Sequence, residues 1–429
     1  MAEAIALKGP KSSSQNYLGP TIIIGVLFFI FGFVTWVNST LITYLQIACE
    51  LTTSQAVLVT FAFYISYAVM AFPSSWVLKK TGFKKGMVVG LLIMAIGALV
   101  FIPAAKTRTY GMFLTGLFII GTGLALLQTA SNPYITILGP IESAAKRISI
   151  MGICNKGAGA LAPLIMGAIM LKDAEGLVER LKIMDVSAKA AQLNELASRV
   201  IGPYIVIAVV LAVLAVVIYF SSLPEVEADG ENDAAETGKS DNRSSIFAYP
   251  YLWIGFVTLF LYVGVEVMAG DIIQVYGKSI GISIDIAKHF TTYTMISMLA
   301  GYLVGIIAIP KYISQSAALK VSAILGGIFT IAAIFTHGYF SILFIALLGL
   351  ANALMWPAIW PLAIGGLGKF TKTGSALLIV GIGGGAILPK IWAILGESIG
   401  YQQAFWIMVP CYLFILYFAV SGHKVGRKA

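Results

Sequence analysis

The chain has 429 residues, 59% of them hydrophobic and only 11% charged, with a mean hydropathy of +0.91. Soluble domains carry about 25% charged residues, so a soluble fold is excluded and an integral membrane protein is implied. The net charge of +9 would suggest nucleic acid in a soluble chain; here the basic residues fall mostly in short loops, which makes membrane lipids the expected partner and argues against nucleic acid.

A helix needs about 20 apolar residues to cross a bilayer. Twelve runs qualify, at roughly 20–47, 54–78, 86–105, 110–138, 147–171, 200–222, 250–276, 287–309, 317–336, 339–367, 374–396 and 401–421. The first nineteen residues are polar and lack the order of a cleaved signal. Residues 172–199 are charged with helical periodicity (Leu177, Leu181, Met184) and predict a short helix or hairpin on the membrane surface. Residues 223–247 are acidic, and PEVEADGENDAAETGKSDNRS within them is free of large apolar residues, a linker composition. The expected organisation is a cytoplasmic tail over 1–19 and a six-helix bundle over 20–222 that includes the external amphipathic 172–199. A cytoplasmic linker over 223–249, a second six-helix bundle over 250–421 and a tail over 422–429 follow. With the N-terminus inside, seventeen basic residues fall on the cytoplasmic side against nine opposite, five of the nine in 172–199. By the positive-inside rule both termini are cytoplasmic. A faint repeat supports two related halves: Gly152 and Gly167 in the fifth run have the separation of Gly381 and Gly396 in the eleventh. Cys49, Cys154 and Cys411 are far apart, with neither disulfide nor metal spacing.

The loop LKKTGFKKG (78–86) is similar to the cytoplasmic loop motif of the major facilitator superfamily. LLQTASNPYITILGP (126–140), YVGVEVMAG (262–270), NALMWPAIWPLAI (352–364), TKTGSA (371–376) and GGG (383–385) resemble, in order, the fucose–galactose–glucose symporter family within it. The resemblance runs through both halves, over about 370 residues. It implies an all-α membrane protein, twelve transmembrane helices in two pseudo-symmetric six-helix bundles. It also implies a bacterial inner-membrane sugar porter, monomeric by default. The chain departs from the family pattern. Lys79 stands where the loop motif usually has an acid. Proton-coupled fucose members carry an Asn-Asp pair in helix one and a Glu in helix four, whereas this chain has Asn38-Ser39 and Gln128. That proton relay is absent, and sodium becomes an option, since some relatives with Gln in helix four look sodium-coupled.

Four charges sit inside apolar runs: Lys156, Glu266, Asp271 and Lys390. A carboxylate at a bilayer centre costs at least ~2.5–3.5 kcal/mol, so such an acid lines a polar cavity or has a cationic partner. Glu266 and Asp271 fall in LYVGVEVMAGDIIQVY (261–276), where Gly264 and Gly270 permit a local break, the kind of segment in which transporters place ion and substrate sites. At 1.5 Å per residue Glu266 lies about 22 Å along its run and Lys390 about 24 Å along its own. The superfamily fold makes the first and fifth helices of each half neighbours, which predicts a Glu266–Lys390 charge pair. Glu266 and Asp271 are the cation-coupling candidates, with a solvated residue at the outer mouth as the plainer reading of Asp271. Lys156 can reach Gln128 or a sugar hydroxyl, or snorkel to the cytoplasmic face.

Gln128 and Asn132 share a helical face, and Asn38, Asn155 and Asn352 add further amides. Amides donate and accept, which suits a hydroxyl-rich neutral ligand; alternatively they glue helices together. Trp356 and Trp360, four apart, offer an aromatic platform for a sugar ring, or a packed face. Asn38, Gln128, Asn132, Asn155, Lys156, Asn352, Trp356 and Trp360 are thus the substrate-binding candidates. The expected function is import of a neutral hexose or N-acetylhexosamine by alternating access, coupled to sodium or protons. The rivals are a porter for an acidic sugar held by Lys156 and Lys390, an uncoupled facilitator, and a sugar sensor. No nucleophile–base arrangement, metal cluster or phosphate loop is visible, so neither an enzyme nor a cofactor beyond a coupling ion is expected.

Overall fold

The computed structural model describes residues 18–137, 144–221, 223, 245–309, 312–367 and 370–427. Most of the expected 1–19 tail and of the 223–249 linker lies outside them. Among the described residues, eleven helices are long and apolar enough to cross a membrane. The helix Leu58–Thr107, 50 residues long, would measure about 75 Å if straight, over twice the ~30 Å of a hydrocarbon core. Gly82, at φ 73° and ψ 174°, interrupts it. Only glycine adopts that left-handed conformation without penalty, and it stands in the basic 78–86 loop. The helix is therefore two crossings, 58–81 and 83–107, which makes twelve among the described residues.

The first half comprises α1 (Leu18–Ala48), α2 (Leu58–Thr107, two arms), α3 (Tyr110–Ile137), α4 (Ala144–Met170), α5 (Ala174–Leu181), α6 (Val186–Ser198) and α7 (Ile201–Phe220). The segment 172–199 contains the two helices α5 and α6. Asp185 caps α6 by accepting from the Ser187 and Ala188 amides. The segment is pinned to the bundle where the Tyr44 hydroxyl donates to the Leu196 carbonyl (2.6 Å) and Lys189 pairs with Glu50 (2.6 Å).

The second half comprises α8 (Pro250–Gly270), α9 (Ile273–Ser279), α10 (Phe290–Ala308), α11 (Gln315–Phe335), α12 (Tyr339–Asn352), α13 (Met355–Ile364), α14 (Thr371–Val380), α15 (Gly384–Ile399) and α16 (Met408–Val420). Three of its crossings are interrupted: the seventh at Asp271–Ile272, the tenth at Ala353–Leu354 and the eleventh by a 3-10 turn at Gly381–Gly383. Interrupted helices leave backbone groups to be satisfied by side chains or a cavity, and in membrane proteins they mark binding regions.

Within each half the first and fifth crossings pack together, α1 on α4 and α8 on α15. Glycine sets both approaches. A Cβ at Gly32 would fall on the Asn155 carbonyl, and one at Gly384 on the Phe260 carbonyl. Between the halves α4 lies against α10, the first arm of α2 against α14 and α15, and α1 against α9. The face opposite the termini is held by polar contacts across the halves. Lys390 donates to the Ser54 carbonyl (2.7 Å) and hydroxyl (2.6 Å), and Glu397 accepts from the Ser54 amide (3.1 Å). Lys278 donates to Gln46 (3.1 Å), and Glu175 accepts from the Ile284 amide (2.7 Å).

Candidate substrate and ion site

Where the halves meet, Lys156 on α4 and Glu266 on α8 form an ion pair, Nζ to Oε1 2.8 Å, each residue 9% exposed. The expected Glu266–Lys390 pair is therefore corrected. Lys390 reaches Ser54 at the far face instead. Matching depth placed Glu266 and Lys390 on one level but says nothing of azimuth, and the partner came from the other half. Neither ion of such a pair is tolerable alone, because the desolvation of a lone buried charge costs several kcal/mol. The Lys156 ammonium also stands 4.8 Å from the centroid of the Trp36 ring, a favourable cation–π placement. Trp36 on α1 is held from both sides, since a Cβ at Gly159 or at Gly270 would collide with its ring. Its indole Nε1 is buried without a hydrogen-bond partner. Trp36 was not legible as a site residue: it reads as one more apolar residue of the first run, and only the two distant glycines reveal its position.

Tyr262, Tyr302 and Tyr412 surround Glu266 closely enough to feel its charge. Tyr412 donates to Asn352 Oδ1 (2.9 Å), leaving Nδ2 of Asn352 buried and unpartnered. Tyr262 lies 6.5 Å, centroid to centroid, from Trp356, which stacks on Trp360 at 5.3 Å and 23°. Asn352, Trp356 and Trp360 thus come to one wall with Glu266. The sequence gives no sign of Tyr302 and Tyr412, which belong to other crossings, whereas Tyr262 lies one turn before Glu266 on the same helix face and could have been found from that spacing.

Asp271 follows Gly270 at the interruption between α8 and α9. Its amide still donates to the Val267 carbonyl (2.7 Å), but its side chain is 0% exposed and neither carboxyl oxygen has a partner. The solvated-mouth reading of Asp271 is overturned: α1 and the first arm of α2 cover the break and exclude water. Asp271 faces Tyr64 of α2 and the backbone at Ser39 of α1. The Tyr64 ring stacks on that of Tyr67 (6.4 Å), whose hydroxyl accepts from Gln128 Nε2 (3.2 Å). Gln128 is thereby tied to the same seam. Beside Asp271, Gln274 Nε2 donates to the hydroxyls of Ser39 (3.1 Å) and Thr291 (3.1 Å).

The other amides lie elsewhere. Asn38 lines a cavity of about 10 Å³ inside the first half with Val34, Val37, Phe63 and Tyr204, and its Nδ2 is unpartnered. Asn155 donates to the Phe28 carbonyl (3.3 Å), a bond between α4 and α1. Asn132 lies half-buried one turn past Gln128 on α3. Among the described residues no three His, Cys, Asp or Glu side chains converge to hold a metal.

Two six-helix bundles facing each other across a charged, aromatic seam define a membrane transporter fold. The family model "Major Facilitator Superfamily" matches residues 24–383, and the chain belongs to that superfamily. It is 33% identical to a glucose/galactose transporter of Brucella abortus over 99% of this chain and 100% of that one. It is 27% identical to the L-fucose-proton symporter of Escherichia coli over 96% and 95%. The crystal structure of the superfamily transporter FucP in the outward conformation superposes with a TM-score of 0.74 at 26% identity, covering 96% of this chain and all of that one. These findings accord with the resemblance to the fucose–galactose–glucose symporter family.

Proposed function

We propose that the protein is a symporter of the bacterial inner membrane, with both termini cytoplasmic, that imports a neutral hexose or N-acetylhexosamine together with a cation. The observation that carries this reading is the Lys156–Glu266 pair beside Trp36, Tyr262 and Trp356. It joins the two halves, cancels its own charge, and is bordered by aromatic faces and amide or phenol groups suited to a sugar ring and its hydroxyls. The names of the Brucella and Escherichia relatives point the same way. Asn352, Trp356 and Trp360 form the second-half wall, Gln128, Lys156 and Trp36 the first-half wall, with Asn132 on the α3 approach. Asn38 and Asn155 serve the packing of the first half. Glu266 and Asp271 are the acids of the coupling step, and the protein acts as a monomer without a cofactor.

An acidic sugar is disfavoured because both candidate cations are committed, Lys156 to Glu266 and Lys390 to Ser54. Uptake of labelled D-glucose, D-galactose, L-fucose and N-acetylglucosamine into proteoliposomes, with inward proton or sodium gradients, tests the reading. Accumulation that needs a gradient and resists competition by glucuronate is expected. Uptake indifferent to both gradients leaves a facilitator, and competition by glucuronate alone overturns the neutral substrate.

A further inference from the structure

We infer that Asp271 carries the coupling ion and that the ion is a proton, while Glu266 stays ionised and held by Lys156. This deepens the symporter reading and rests on it. A carboxylate that is 0% exposed, with neither oxygen in a well-formed hydrogen bond and no cation of its own, has lost its hydration without a matching charge, a state avoided by acquiring a cation or a proton. The charged and titratable groups facing Asp271 are Glu266 on its own helix, Lys156 from α4 and Tyr64 from α2. Lys156 is already bound to Glu266 at 2.8 Å. A single phenol from Tyr64 supplies a donor but no charge.

The neighbouring polar groups are committed as well. The Ser39 hydroxyl donates to the Trp36 carbonyl (2.8 Å) and the Thr291 hydroxyl to the Gly270 carbonyl (2.7 Å). Both hydroxyl hydrogens are therefore used. Gln274 must present its NH₂ to these two oxygens, which fixes the amide orientation and leaves Gln274 Oε1 a buried acceptor without a donor. Two acceptor oxygens of Asp271 and one of Gln274 are thus buried without a donor. A metal ion needs a shell of several oxygens about an open centre. A proton needs no room, and as an O–H it turns Asp271 from acceptor to donor.

The location supplies the coupling. Asp271 belongs to the second half, and what covers it, Ser39 and Tyr64, belongs to the first. Parting of the halves on one side uncovers it. The carboxylate then takes one proton, the seam closes over the neutral acid, and parting on the other side returns the proton to water. No other bond is made or broken. An ionised Asp271 competes with Glu266 for Lys156, so loss of the proton loosens the bridge that joins the halves.

Two measurements on the full-length protein decide the matter. In proteoliposomes holding a pH indicator, addition of D-glucose to the wild type moves about one proton per sugar, and Asp271→Asn brings that ratio to zero. A ratio unchanged in Asp271→Asn, or uptake driven by sodium and indifferent to pH, overturns the assignment. In infrared spectra at neutral pH the wild type shows the carbonyl band of a protonated carboxylic acid, lost in Asp271→Asn and kept in Glu266→Gln. Absence of the band, or its loss only in Glu266→Gln, overturns it too. Should Asp271→Asn fail to fold, the wild type and Glu266→Gln spectra still decide. Should the wild type move none of the four sugars, the symporter reading fails while the infrared band still reports on Asp271.

Discussion

At the residue scale the bridge between Lys156 and Glu266 is the most consequential contact, because removing either ion strands the other in a water-poor seam. Breaking a buried pair from one side typically costs about 3–5 kcal/mol, whereas replacing both ions with apolar groups of like volume is near neutral. Lys156→Ala is therefore expected to lower the melting temperature in detergent markedly, and Lys156→Met combined with Glu266→Met to recover most of the loss. Equal melting temperatures for the single and double variants would show that the charges are not interdependent. Lys156, Glu266 and Asp271 could be singled out from the sequence because charge in an apolar run is expensive. Who partners whom could not, since Lys390 matched Glu266 in depth and only the azimuth and the other half's approach select Lys156.

At the element scale, close helix approaches are set by glycine. A side chain at Gly32 or Gly384 would meet the backbone carbonyl of the neighbouring helix, and a backbone atom cannot step aside as a side chain can. Gly32→Ala and Gly384→Ala are each expected to cost about 1–3 kcal/mol, the usual range for overpacking, read as lower melting temperatures. Gly327→Ala on α11, where nothing lies within 4 Å, should be neutral or stabilising by up to about 1 kcal/mol from helix propensity. The Ser54 latch is an element-level device too, since Lys390 and Glu397 both grip the short link between α1 and α2. Cys49, just past α1, is a built-in reporter. Burial pushes its thiol up to about 11, so below that pH the thiol is protonated and labels slowly. Lys390→Ala should release the latch and raise labelling of Cys49 by a membrane-impermeant maleimide several-fold at pH 7. No increase would mean that the remaining contacts hold this face closed.

For the whole molecule, transport by alternating access requires the two halves to change their relative position. The first arm of α2 and the 3-10 turn that precedes α15 touch across the seam where a Cβ at Gly383 would stand 3.3 Å from that of Ala68, near the ~3.5–4.5 Å of a disulfide. Ala68→Cys with Gly383→Cys, made without Cys49, Cys154 and Cys411, should cross-link under mild oxidation and stop sugar exchange until reduced. Exchange that persists in the cross-linked protein would show that this seam need not open.

Hydropathy by itself determined that the chain crosses the membrane twelve times, because burying an unpaired backbone in hydrocarbon leaves few alternatives to apolar helices. The basic loop at 78–86, the short helix or hairpin at 172–199 and the breakable seventh crossing were legible for similar reasons, each being a local conformational or solvation cost visible within a few residues. Tertiary structure alone decided that Trp36 is clamped between Gly159 and Gly270, that Asn38 faces the interior of its own half, and that Asp271 is sealed from water rather than open to it. Those outcomes depend on which face each helix turns to a partner hundreds of residues away, and the energy that selects that face is packing, to which no local pattern corresponds.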